Sequence, residues 1–300
     1  MGKLAPTHAG RVYADERLLV SLFFEAPHAE VAGGVLAVLD RMLERAGMTW
    51  IGGKRIKAEG AGTALYAPFS EALAKRVRGR LERPDAHPDE WFVVRDEADE
   101  STLPRHRLRY DARTGSSPQA TGRLELWLPP EPFSSGDEQA STWLVDLLAR
   151  VAFTSGTVSI GLVSEGVPDP VGFNRAVVER TSAHPGLDLV DPTVGARLGT
   201  CHRGIGWLTL LSPAVLARLG VARGDELELP RGVSWLPFDG GRGAVRAGKT
   251  PSLDDDPKMR ALALALWPAQ HVHQGCPIGL YEADGILWQL RWLLPPRPRR

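Results

Sequence analysis

Leu18-Leu19-Val20-Ser21-Leu22-Phe23-Phe24 is the stretch on which the reading of the fold turns. A short apolar run closed by Pro27 fits a buried strand. A helix should follow, because Val31, Val35, Leu39, Met42 and Ala46 recur at helical spacing and Gly47 stands where a helix C-terminus favours it. Ser70 can cap a second helix, whose apolar stripe is Leu73, Val77 and Leu81 and which Pro84 ends. Lys75, Arg76, Arg78 and Arg80 take its other faces and read as a solvated surface. Three strands are expected next, at Trp91 to Arg95, Arg105 to Tyr110 and Arg123 to Leu128, with Leu124, Leu126 and Leu128 sharing one face.

Residues 129 to 137, rich in Pro, Ser and Gly, are the best candidate boundary within the chain. Beyond them a helix from about residue 138 presents Trp143, Leu147 and Val151, and Val158, Ile160 and Leu162 alternate as a strand. A helix follows at Val171 to Thr181. The remainder predicts a strand at Gly206 to Leu211, a short helix at Pro213 to Leu219, and strands around Glu226, Trp235 and Val245. A helix from Pro257 and a last strand at Ile286 to Leu293 complete it. This order predicts an α+β fold of mixed, largely antiparallel sheets with packed helices. The unit is either one domain over 1–300 or two similar packed halves that meet near 129–137.

Composition narrows the function. Hydrophobic residues make up 43% of the 300 and charged residues 24%, which is ordinary globular usage. Lys+Arg and Asp+Glu both number 36, so no overall field draws the chain to nucleic acid or anionic lipid, and neither is expected as a direct partner. Two cysteines, Cys201 and Cys276, fit a reducing compartment. The start of the chain lacks the apolar core of a signal peptide, and no run of about 18 apolar residues follows, so a cytoplasmic protein off the membrane is expected.

Catalytic motifs are weak. His271, His273 and Cys276 form a metal-like cluster without an obvious fourth ligand, which Cys201-His202 could supply only if folding brought the segments together. No metal is expected there, and a metal-dependent enzyme using this cluster is the alternative. Asp254-Asp255-Asp256 before Pro257 reads as a helix start. Ser159 lacks the first glycine of a nucleophile elbow and reads as a strand residue. No phosphate loop of the G-x-x-x-x-G-K-[ST] type is present, so no cofactor is expected, and Gly240-Gly241-Arg242-Gly243 reads as a hairpin turn. Of the nine tryptophans most should be core, with Trp127, Trp288 and Trp292 the ones that could anchor a partner.

The second half carries a recognisable pattern. Phe153-Thr154-Ser155-Gly156, His184-Pro185-Gly186-Leu187-Asp188-Leu189, Gly199-Thr200, Gly206-Trp207-Leu208-Thr209-Leu210-Leu211-Ser212-Pro213 with Leu216 and Leu219-Gly220, and Ala247-Gly248-Lys249-Thr250-Pro251 together resemble the bacterial type VI secretion immunity family, the TsiV-like proteins. The resemblance covers roughly residues 140 to 268. It implies a non-enzymatic protein that binds and neutralises a cognate toxic effector, of the nuclease type, in the cytoplasm; a secretion-associated scaffold is a further alternative. A nuclease cleft must hold phosphates, so the facing surface should offer carboxylates. The contact candidates are Asp96, Glu97, Asp99 and Glu100, then Asp137 and Glu138 in the loop from Glu131, and Asp254, Asp255 and Asp256.

Overall fold

In the computed structural model, Leu18 to Phe24 lies inside an eleven-residue strand at the centre of a large sheet. The structure describes residues 7–8, 11–12, 14–46, 48–53, 66–88, 90–96, 103–113, 120–164, 170–190, 198–272 and 282–293. A small pair, β1 (Thr7–His8) and β2 (Arg11–Val12), precedes that strand, β3 (Ala14–Phe24). Then come α1 (His28–Arg45), β4 (Met48–Gly53), β5 (Tyr66–Pro68), α2 (Glu71–Leu81), β6 (Trp91–Asp96), β7 (Arg107–Asp111) and β8 (Gly122–Leu128). The chain continues through α3 (Glu131–Ser134), α4 (Glu138–Ala149), β9 (Ser155–Ser164), α5 (Pro170–Ala183), β10 (Asp188–Leu189), β11 (Leu208–Leu211) and α6 (Pro213–Arg218). It closes with β12 (Val233–Pro237), β13 (Gly243–Ala247), α7 (Pro257–Leu266) and α8 (Glu282–Gln289).

The 11-stranded sheet runs β12-β13-β11-β9-β3-β8-β7-β6-β4-β5, antiparallel throughout, with β10 joining β9 in parallel. β3 pairs with β9 from Ala14↔Ser164 to Phe23↔Ser155 and with β8 from Leu18↔Leu128 to Phe24↔Gly122. Residues before and after the 129–137 segment therefore share one sheet, and the segment itself is one helical turn, α3, leading into α4.

Period-two geometry sends alternate residues of β3 to opposite faces. Leu18, Val20, Leu22 and Phe24 join Leu124, Leu126, Leu128, Val158 and Ile160 against the apolar stripes of α1 and α4. The opposite face is buried too, and mixes polar groups with Leu19, Phe23, Trp127 and Val163. Glu125 accepts hydrogen bonds from Arg107 at 3.2 Å and from the Trp127 indole at 2.9 Å, with Arg123 at 3.7 Å. Two guanidiniums and an indole around one carboxylate offset the cost of burying its charge.

Three expectations change. Residues 286–293 are the end of α8 and a following turn, not a strand; Leu290 N–H donates to Ile286 O, so the short apolar run obeys helical rather than alternating geometry. Around Glu226 a 3₁₀ turn stands instead of a strand, with the Glu226 carboxylate accepting from Ala222 N–H. Trp127, Trp288 and Trp292 are 1%, 6% and 4% exposed, so they are core residues and not partner anchors.

Candidate functional site

Most described acidic candidates are committed to local structure. Asp96 ends β6 and accepts from both the backbone N–H and ring Nδ1 of His106, at 3.0 and 2.9 Å. Asp137 lies not in a loop from Glu131 but at the N-cap of α4, accepting from Gln139 and Ala140 N–H at 2.9 and 3.1 Å. Asp256 caps α7 through Lys258 N–H at 2.9 Å, as the sequence predicts for a helix start. Asp255 takes two hydrogen bonds from Arg260, at 2.8 and 2.9 Å. Glu97, Asp99 and Glu100 lie outside the described residues. That leaves Glu138 and Asp254, both exposed and neither in an ion pair among the described residues. Glu138 borders a groove of about 570 Å³ between α1 and α4, with Arg41, Trp143, Asp146 and Arg150.

Folding brings the separated sequence motifs together. His184 to Leu187 make a tight turn, Leu187 N–H donating to His184 O at 3.0 Å, and Gly186 N–H donates to Leu253 O at 3.1 Å. A Cβ on Gly186 would stand 2.2 Å from Ser252 O, so only glycine allows that approach. The Trp207 indole donates to Gly248 O at 3.2 Å and meets the Phe133 ring edge-on at 6.4 Å. Gly136, in the turn between α3 and α4, abuts Thr250. Thus the turn before Glu138 and the strand exit before Asp254 become neighbours.

Two further residues complete this junction: Trp288, read from the sequence as a possible partner anchor, donates its indole N–H to Leu187 O at 3.3 Å, and Arg291, which the sequence reading did not single out, donates to Pro185 O at 2.7 Å while stacking on Trp288. Burial lowers the Arg291 guanidinium to about 10. Beneath, Asp188 is held by Arg203, which also reaches Leu189 O at 2.7 Å. His184 sits below its ordinary pKa of 6.5 through burial and then Arg180, whose guanidinium donates to its Nε2.

The junction can position a surface but offers no nucleophile–base pair. Ser159 is a strand residue, as expected, and its Oγ accepts from Trp207 N–H at 3.3 Å. Folding does bring Cys201-His202 beside His271: His202 N–H donates to Ala269 O and His271 N–H to His202 O. Yet both nitrogens of the fully buried His202 ring face main-chain carbonyls, Nε2 toward Leu266 O at 2.8 Å and Nδ1 toward Gly204 O at 3.1 Å, so neither is turned toward His271 or open to a metal. His273 and Cys276 lie outside the described residues. Among the described residues no group of three or more His, Cys, Asp or Glu could hold a metal ion.

A family model described as type VI immunity for VRR-NUC, TsiV, matches residues 68–275. The chain belongs to the TsiV family of type VI immunity proteins. The match begins well before the motifs that carried the resemblance and takes in the sheet from β6 onward, α7 and the 184–253 junction. In fold this TsiV chain is similar to the Pseudomonas aeruginosa T6SS protein PA0821, with a TM-score of 0.73 at 17% identity over 96% of this chain and 84% of that one. No curated protein matches it. Among the described residues no helix is long and apolar enough to cross a membrane.

Proposed function

We propose that this TsiV protein works in the cytoplasm by surface binding alone, seating on a VRR-NUC nuclease effector and blocking it without chemistry of its own. Membership of an immunity family carries the reading. It is supported by the way the junction's polar groups are consumed in holding backbone turns together. A nuclease must present cations to phosphates, so carboxylates not committed to this protein's own structure are the natural contacts. Of the acidic candidates read from the sequence, Glu138 and Asp254 are the described ones that meet that condition.

The test is co-expression with the VRR-NUC nuclease whose toxicity the chain suppresses. The expected result is rescue, with a purified complex burying on the order of 1,600 Å². The double reversal Glu138→Lys with Asp254→Lys should slow association several-fold and flatten its salt dependence. Absence of any complex would overturn the binding reading. Capture of secretion components instead of a nuclease would favour the scaffold.

A further inference from the structure

The outer face of α7 is apolar from Ala261 to the helix end. From Ala261 to Gln270 no side chain carries a charge, and Ala261, Leu264, Ala265 and Pro268 stand exposed at positions i, i+3, i+4 and i+7. Leu264 is 66% exposed and Trp267, at the helix end, 42%; with Leu287 on α8 they are the exposed large hydrophobics among the described residues. The inner face is spoken for, since Leu262, Ala263 and Leu266 pack with Val215, Leu216 and Val245. A surface helix ordinarily turns charge to solvent. Here the outward stripe is as apolar as the inward one, and it lies within the family match.

We infer that the α7 stripe, centred on Leu264 and Trp267, is the apolar core of the surface that grips the nuclease, with the acidic N-terminal end of α7 as its rim. This rests on the immunity reading above. Eight residues of helix span only about 11 Å, too little for the roughly 800 Å² per partner of a stable complex, so a rim must contribute. At one end of the stripe stands exposed Asp254, in no ion pair among the described residues. The cations of α7 are already used, Lys258 on Asp256 at 3.3 Å and Arg260 on Asp255 at 2.8 Å. A second copy of this chain brought helix to helix would offer apolar surface but no spare α7 cation for that rim. A phosphate-binding nuclease supplies both. An exposed Trp in an apolar patch with a charged rim at its far end is the composition in which binding energy concentrates.

The experiment uses the full chain and its cognate VRR-NUC nuclease, with Leu264→Lys, Trp267→Ala and, as a control on a distant helix, Arg76→Glu. Lysine at 264 suits the C-terminal turn of a helix, so the melting temperature should stay within a few degrees of wild type. Leu264→Lys and Trp267→Ala should each weaken the complex by at least about tenfold and lose rescue, while Arg76→Glu keeps both. Wild-type affinity in a folded Leu264→Lys variant overturns the inference while leaving the immunity reading standing. A free wild-type dimer in sedimentation that Leu264→Lys makes monomeric also overturns it, by assigning the stripe to self-association. If the wild-type chain binds no such nuclease, the immunity reading falls and this inference with it.

Discussion

Trp207 shows how a family motif is maintained by packing. Its ring is 3% exposed, it bonds to the exit of β13 through Gly248 O, and it leans on Phe133. Trp207→Ala should cost about 3–5 kcal/mol, the usual range for emptying a large aromatic site. A urea midpoint would report it, and binding should fail only as far as folding does. A stable Trp207→Ala protein that has lost its partner would place this residue in the interface instead. The aromatic core at 207 was legible in the sequence because it opens an apolar strand. Trp127 was not, because its partner Glu125 comes from the same polar face that a pattern reading assigns to solvent.

The caps of α4 and α7 separate structural acids from contact acids. Asp137 and Asp256 each accept backbone N–H bonds at a helix start, which asparagine can also do. Asp137→Asn and Asp256→Asn should therefore leave stability near wild type, while the alanine variants lose about 0.5–2 kcal/mol. Thermal unfolding beside a binding titration checks this. If Asp137→Asn weakens nuclease binding in a protein that melts normally, the carboxylate is a contact and its charge matters beyond the cap. The start of α7 was readable from Asp256-Pro257. The α8 helix was misread, because five or six apolar residues fit a strand as well as a helix until a carbonyl four residues back accepts the bond.

Across the fold, three histidines set an acid response. Burial is the leading cause holding His28, His184 and His202 below 6.5, and for His202 it outweighs the two carbonyl contacts that favour its cation. His28 is neutral beside the Tyr110 hydroxyl, 2.7 Å from its Nδ1, and burial raises that hydroxyl's own pKa. The unfolded chain binds these protons at a higher pH than the folded one does, so stability is complete above about 6.5 and declines as pH falls below it. Glu25 acts in the opposite sense, since burial raises its pKa above 4.5 and folding then takes up a proton. A melting temperature that drops between pH 7 and pH 5.5 is expected. A flat or rising profile over that window would mean the histidines gain protons in the folded state.

The apolar run of β3, the spacing along α1, the cap at Ser70 and the acid before Pro257 could all be read from the chain, because each depends on neighbours within a few residues. So could the α+β class and the motifs of the immunity family. What the tertiary structure alone decided is which of these surfaces survive folding. It placed β3 between β8 and β9, gathered Pro185, Trp207, Gly248, Trp288 and Arg291 at one junction, spent the carboxylates of Asp96, Asp137, Asp255 and Asp256, and left Leu264 and Trp267 facing water. Periodicity is a local property of the backbone. Burial and pairing depend on residues many tens of positions away, which no local pattern names.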